Sequence, residues 1–232
     1  MYFAWHHAHI TVPDRHEAAA WYNQHLSADL RAPTPRSENL YYGTNLVQFQ
    51  SEAVAEPLQG CSLFALGLGL PDCKAALTRL TEAGARILSE NDSITTLLDP
   101  WQLRLELYQS DFACQNYLHI HCDDPSALAD WYCQHLAGTP AHCSWDSRRK
   151  VVEWDTYALH FSKGPLEDQL RTIDHIGWYS RQLQVDYEAL MQMGVQFPVP
   201  PRAFGQVQLA FLKDPTGIWI ELVELPGGVI PK

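Results

Sequence analysis

Four stretches of the chain alternate apolar with polar or small residues: 7–12, 63–68, 117–122 and 173–179. A period of two is that of a strand with one buried face. Each stretch runs into a polar turn, namely Pro13-Asp14, Pro71-Asp72, Asp123-Asp124-Pro125 and Ser180-Arg181. A helical pattern follows. In the first, Ala18, Ala19, Tyr22 and Leu26 share one face, and in the second Ala76, Leu77 and Leu80 do so ahead of Gly84, which suits a C-terminal cap. Each quarter then closes in short strands that include 46–49, 103–108, 157–161 and 217–223. The pattern predicts strand, helix and several strands, four times over.

The repetition extends to residue identities. Trp21-Tyr22-Asn23-Gln24-His25-Leu26 lies over Trp131-Tyr132-Cys133-Gln134-His135-Leu136, 110 positions on, and the same offset places His9-Ile10 on His119-Ile120 and Asp14 on Asp124. Thr81-Glu82-Ala83-Gly84-Ala85 falls on Met191-Gln192-Met193-Gly194-Val195. Asp99-Pro100-Trp101-Gln102-Leu103-Arg104-Leu105-Glu106 falls on Asp214-Pro215-Thr216-Gly217-Ile218-Trp219-Ile220-Glu221. The chain reads as two similar halves, each of two similar quarters, joined near 111–115.

Composition narrows the function classes. With 46% hydrophobic and 19% charged residues the chain is an ordinary globular one. Sixteen Lys and Arg face 27 Asp and Glu, a net charge of −11, and no basic run exceeds three residues, so nucleic acid and anionic lipid are poor partners. No apolar stretch nears the roughly 20 residues of a membrane span. The start, Met1-Tyr2-Phe3-Ala4-Trp5-His6-His7, lacks the features of a signal peptide, so a cytoplasmic protein is expected. The six cysteines form no CxxC pair and are expected to be free thiols.

Asp174-His175-Ile176-Gly177 opening the last quarter and Asp214-Pro215-Thr216-Gly217-Ile218-Trp219-Ile220-Glu221 closing it, within the fourfold repeat, resemble the vicinal oxygen chelate superfamily. That group includes glyoxalase I, fosfomycin-resistance enzymes, extradiol dioxygenases, epimerases and bleomycin-binding proteins. The resemblance implies an α+β fold of four βαβββ modules, paired into two glyoxalase/dioxygenase-like domains over 1–112 and 113–232. It also implies a divalent metal at the base of a cup of strands, with one ligand from the first and one from the last strand of each module.

Carried over residue by residue, the resemblance points to His7, Gln48, Ala65 and Glu106 in the first half and Tyr117, His160, His175 and Glu221 in the second. The second set is the better one chemically, because two imidazoles and a carboxylate leave coordination positions open. The first half, with Ala65 in a ligand place, is expected to be vestigial. Some fused members pair the first module with the fourth instead, which would unite His7, Gln48, His175 and Glu221. Other assignments are structural: His25 and His135 to helix packing, and Glu106 to a carboxylate satisfied by backbone donors or an Arg. His9 and His119 lie on the same strand faces as His7 and Tyr117, with His121 further along at the rim, and Trp178 and Trp219 flank the ligand strands as possible pocket walls.

The implied cofactor is a divalent metal, Fe(II) by preference, with Zn, Mn or Ni as other ions of fitting chemistry. The implied partner is a small metal-chelating substrate, in a monomer or homodimer. An extradiol-type dioxygenase leads, with His175, Glu221, His160 and His7 as ligand candidates and His119 and Tyr117 as catalytic candidates. Those enzymes usually carry a Tyr and a His where this chain has Phe211 and Arg202-Ala203-Phe204. A glyoxalase-like isomerase or lyase is the alternative, with Arg148-Arg149-Lys150 and Arg202 as rim cations for an anionic co-substrate. A metal-free binding protein of the bleomycin-binding kind is the third reading, and the retained His and Glu positions weigh against it.

Overall fold

The computed structural model describes residues 1–51, 61–165 and 173–230. Four modules follow one another. The first is β1 (Phe3–Thr11), α1 (Arg15–Leu26), β2 (Asp29–Leu30), β3 (Ser37–Tyr42) and β4 (Asn45–Gln50). The second is β5 (Cys61–Leu70), α2 (Cys73–Glu82), β6 (Arg86–Glu90), β7 (Thr95–Leu98) and β8 (Arg104–Gln109). The third is β9 (Cys114–Cys122), α3 (Pro125–Leu136), β10 (Thr139–Ala141), β11 (Lys150–Trp154) and β12 (Tyr157–Ser162). The fourth is β13 (Ile173–Ser180), α4 (Leu183–Gln192), β14 (Val199–Phe204), β15 (Val207–Lys213) and β16 (Trp219–Glu224).

Local chemistry explains the helix starts. The carboxylates of Asp14, Asp72 and Asp124 accept backbone N–H groups of the first turns of α1, α2 and α3. The fourth helix begins after Gln182, which makes no such side-chain bond, where the repeat lacks its Asp.

The strands form two eight-stranded sheets, ordered β14-β15-β16-β13-β1-β4-β3-β2 and β10-β11-β12-β9-β5-β8-β7-β6. In every module the first strand runs parallel beside the last, and pairs of modules join through antiparallel first strands, β1 with β13 and β5 with β9. Each sheet therefore takes one module from each half. The sheets do not follow the division into 1–112 and 113–232, because the first module pairs with the fourth and the second with the third. Connection length supplies the reason. Only residues 110–113 link β8 to β9, a reach of roughly 14 Å at full extension that keeps both in one sheet. Ten residues separate β4 from β5 and β12 from β13.

The halves are units of another kind, held across the two sheets. Tyr22 of α1 donates to Asp99 in the turn before β8 at 2.9 Å, and Tyr132 of α3 donates to Asp214 before β16 at 2.9 Å. The other oxygen of each Asp accepts backbone N–H groups of its own turn, from Trp101 and Leu103 or from Thr216 and Ile218. The repeated Trp-Tyr and Asp-Pro motifs are the two ends of one structural bond. Trp5 stacks on Tyr157 with ring centroids 3.6 Å apart, and Asn45 bonds Gln115 and Thr156, so one hydrophobic core spans both sheets. Among the described residues Cys73, Cys114, Cys122, Cys133 and Cys143 are free, and no helix is long and apolar enough to cross a membrane.

Candidate metal centre

The registers place two rows of side chains side by side on one face of the sheet formed by the first and fourth modules. One row runs Gln48, His9, His175, Trp219, Lys213; the next runs Leu46, His7, Gly177, Glu221, Phe211, Val199. Gly177 is the gap that brings the rows together. A Cβ there would come within 2.4 Å of the His7 ring, so only glycine lets the imidazole lie across β13. A bulge at His6, between the pairs Trp5–Trp178 and His7–Gly177, re-aims β1 at the same point.

The outcome is a convergent trio. His7 Nε2 lies 2.9 Å from His175 Nε2 and 3.6 Å from Glu221 Oε2, and His175 Nε2 lies 3.5 Å from Glu221 Oε2. Asp174 accepts from His175 Nδ1 at 2.6 Å, which fixes the ring and leaves Nε2 to the trio, the usual outer support of a metal-bound imidazole. The ligand nitrogen of His9 lies within 4.8 Å of those of His7 and His175, and its Nε2 has no hydrogen-bond partner. Gln48 donates its amide to Asn39 Oδ1 at 2.8 Å.

Burial opposes a charge on His175, but hydrogen bonds to Asp174 and Glu221 outweigh it and hold its pKa up at about 9. Burial and the neighbouring imidazoles hold His7 well below the ordinary value, and burial takes His9 down to about 4. The protein alone thus sets a proton between two facing imidazoles and a carboxylate. A divalent cation fits the same position, with two neutral imidazoles and one carboxylate as donors.

The second sheet carries the same registers with different chemistry. Glu106 stands where Glu221 does, Tyr117 where His7 does, Ala65 where His175 does, His119 where His9 does and His160 where Gln48 does. Gly67 again yields space, here to the Tyr117 ring. The centre is filled from within. Arg149 donates to both oxygens of Glu106 at 2.8 Å, Tyr117 OH donates to it at 2.9 Å, and His119 Nδ1 bonds it at 3.1 Å. His160 stacks on Tyr117 with centroids 4.2 Å apart.

These positions correct several expectations. His160, Tyr117 and His119 belong to the second sheet, away from the trio of His7, His175 and Glu221: Tyr117 and His119 bond Glu106, and His160 stacks on Tyr117. The equivalence of His160 with Gln48 holds, but the module carrying it pairs elsewhere. His7, assigned to a vestigial half, stands in the better-equipped centre. Arg149 is no rim cation; it is buried on Glu106, while exposed Arg148 bonds Asp146. His121 is buried against Phe64 and Trp178 is wholly within the core, whereas Trp219 lines a cleft beside His175. Asp174 and Gly177 were visible in the Asp-His-Ile-Gly motif, though not as the ring's anchor and its space.

No protein-family model and no curated protein matches the chain in sequence. Solved structures match its fold. Glyoxalase I from Zea mays superposes with a TM-score of 0.76 at 15% identity, over 95% of this chain and 92% of that one. A protein from Bacillus subtilis subsp. subtilis str. 168, provisionally assigned as a dioxygenase, gives 0.71 at 16% identity, over 95% of this chain and 84% of that one. The chain shares the fold of these structures, built here from the four modules that the resemblance implies.

Proposed function

We propose that this protein is a metal-dependent enzyme acting on a small substrate that chelates through neighbouring oxygens, and that the reaction is an extradiol-type dioxygenation. The supporting observation is the convergence of His7, His175 and Glu221 on one point within 3.6 Å of one another, with Asp174 anchoring His175 from behind. Two imidazoles and a carboxylate are the donor set of non-haem iron oxygenases, and they leave positions for a substrate and a gas molecule. Fe(II) is the preferred ion; Zn, Mn and Ni suit the same donors. A divalent ion bound there supplies Lewis acidity to a chelated diol and, when it is iron, access to O₂.

The chain's own residues then have distinct parts. His7, His175 and Glu221 hold the ion. Asp174 keeps the His175 ring in one orientation through Nδ1. His9 Nε2, without a protein partner and held neutral by burial, accepts a hydrogen bond from a substrate hydroxyl and orients it. The position in the first module equivalent to Glu221 is Gln48, whose amide cannot carry a proton. An isomerase or lyase that shuttles protons between two carboxylates is thus left with one, which favours the dioxygenase reading.

Elemental analysis of the purified protein and of His175→Ala and Glu221→Ala tests this. About one equivalent of iron, lost in both variants, together with O₂ uptake on a panel of catechols, is the expected result. Zinc, nickel or manganese lost in the same way keeps the centre and transfers the reaction to isomerase or lyase chemistry. A wild type that takes up no metal on reconstitution overturns the enzyme reading and leaves a small-molecule binding protein.

A further inference from the structure

We infer that the cleft beside His175 selects substrates that join a flat apolar ring to a carboxylate, and that Arg202 reads the carboxylate. The inference rests on the reading above for where the substrate's chelating oxygens sit. The cleft itself is lined by Asp174, His175, Val199, Arg202, Phe211 and Trp219. Phe211 meets His175 edge to face at 5.6 Å and Trp219 at 6.2 Å, and Lys213 Nζ lies 4.4 Å over the Trp219 ring. Val199 sits opposite Phe211 in the β14–β15 register. One side of the trio is therefore an aromatic and aliphatic wall suited to a planar ring.

The second sheet stacks Tyr108, Tyr117, Trp145 and His160 at its own centre, but not in this arrangement. In the second sheet the positions equivalent to Phe211 and Trp219 are Thr96 and Arg104, so this pair of rings is particular to the sheet that carries the donor trio. Arg202 is the only Arg or Lys of the lining, and it has no hydrogen-bond or ion-pair partner among the described residues. Asp174, the carboxylate nearest to hand in the cleft, is engaged by His175 Nδ1. In a chain of net charge −11, a guanidinium left open at the mouth of an apolar cleft is a place for a substrate anion. A planar guanidinium fork matches a carboxylate through two parallel bonds.

Binding to metal-reconstituted protein, by calorimetry or ligand-observed NMR, tests this with two pairs of probes. Catechol is compared with 3,4-dihydroxyphenylacetate, and benzyl alcohol with phenylacetate. The acid of each pair is expected to bind about tenfold more tightly in the wild type, a charge-assisted gain, with the ratio falling to near one in Arg202→Gln. The substituted side chain is exposed on an edge strand, and a thermal melt confirms that the variant is folded. Equal binding within both pairs, or a preference that survives in Arg202→Gln, overturns the inference. If the non-chelating pair shows the Arg202-dependent preference while catechol binds no better than benzyl alcohol, the inference stands and the metal reading falls.

Discussion

Replacing Arg149 by Leu isolates what holds the second cup together. Glu106 is 1% exposed and takes four hydrogen bonds, two of them from the Arg149 fork. The variant leaves its carboxylate buried with only Tyr117 and His119. Breaking a buried pair by removing one partner costs about 3–5 kcal/mol, because the remaining charge stays desolvated. Glu106→Leu should cost less, because Arg149 keeps Asp146 at 3.6 Å, whereas the double variant, with both charges of the pair gone, should fall within about 1–2 kcal/mol of the wild type. The coupling between the two sites is then several kcal/mol, read from urea unfolding of all four proteins at constant m-value.

The pH dependence gives a second reading of the same pair. Burial alone would raise the Glu106 pKa, but hydrogen bonds from His119 and Arg149 pull it well below the usual carboxylate range. A depressed folded-state pKa means that the unfolded chain binds the proton first. Its contribution is fully present above the unfolded value near 4.3 and is lost as pH falls towards the folded one. Wild-type stability should therefore decline on acidification below about pH 5 more steeply than that of the double variant. An Arg149→Leu cost below about 1 kcal/mol, or a coupling near zero, would refute the reasoning.

Three further outcomes follow from particular contacts. Gly177→Ala puts a methyl 2.4 Å from the His7 ring and should cost about 1–3 kcal/mol as overpacking while abolishing stoichiometric metal in elemental analysis; retained metal would show that His7 is not a ligand. Asp174→Asn keeps the shape beside His175 but removes the charge that anchors Nδ1, and should weaken metal affinity about 10–100-fold in competition with a chelator. Tyr22→Phe and Tyr132→Phe each leave a buried Asp one donor short, and should cost about 1–3 kcal/mol apiece in denaturant melts, adding within about 0.5 kcal/mol in the double variant because they share no partner.

The module plan was legible because it is local: period-two runs, three Asp caps, and Trp-Tyr helices repeated at a fixed offset. The pairing of modules was not, because strand periodicity says which face is buried but not which edge meets which. The usable signal was connection length, four residues between β8 and β9 against ten at the other two joins. His175 and Glu221 follow from the last module alone and occupy one centre under either pairing. His160 was assigned to the right register position and the wrong sheet for the same reason that the pairing was open. Arg149 escaped because it sits in a run with Arg148 and Lys150, just ahead of β11, where no periodicity distinguishes the side chain that turns inward from those that face water.

The two cups differ in where their positive charge comes from. The second meets its buried carboxylate, Glu106, with a guanidinium supplied by the chain, Arg149, which also faces the partly buried Asp146 at 3.6 Å. The first holds two carboxylates, Glu221 in the trio and Asp174 behind His175, both drawn to the one His175 ring. A proton on His175 offsets only one of those charges. Uncompensated charge in a partly buried site is costly, so the sequence either supplies a second cation or leaves room for one. A divalent ion bound to two neutral imidazoles and Glu221 balances both carboxylates, which a proton cannot do. Arg202 then remains for a charge that the protein does not itself carry, the carboxylate of a substrate.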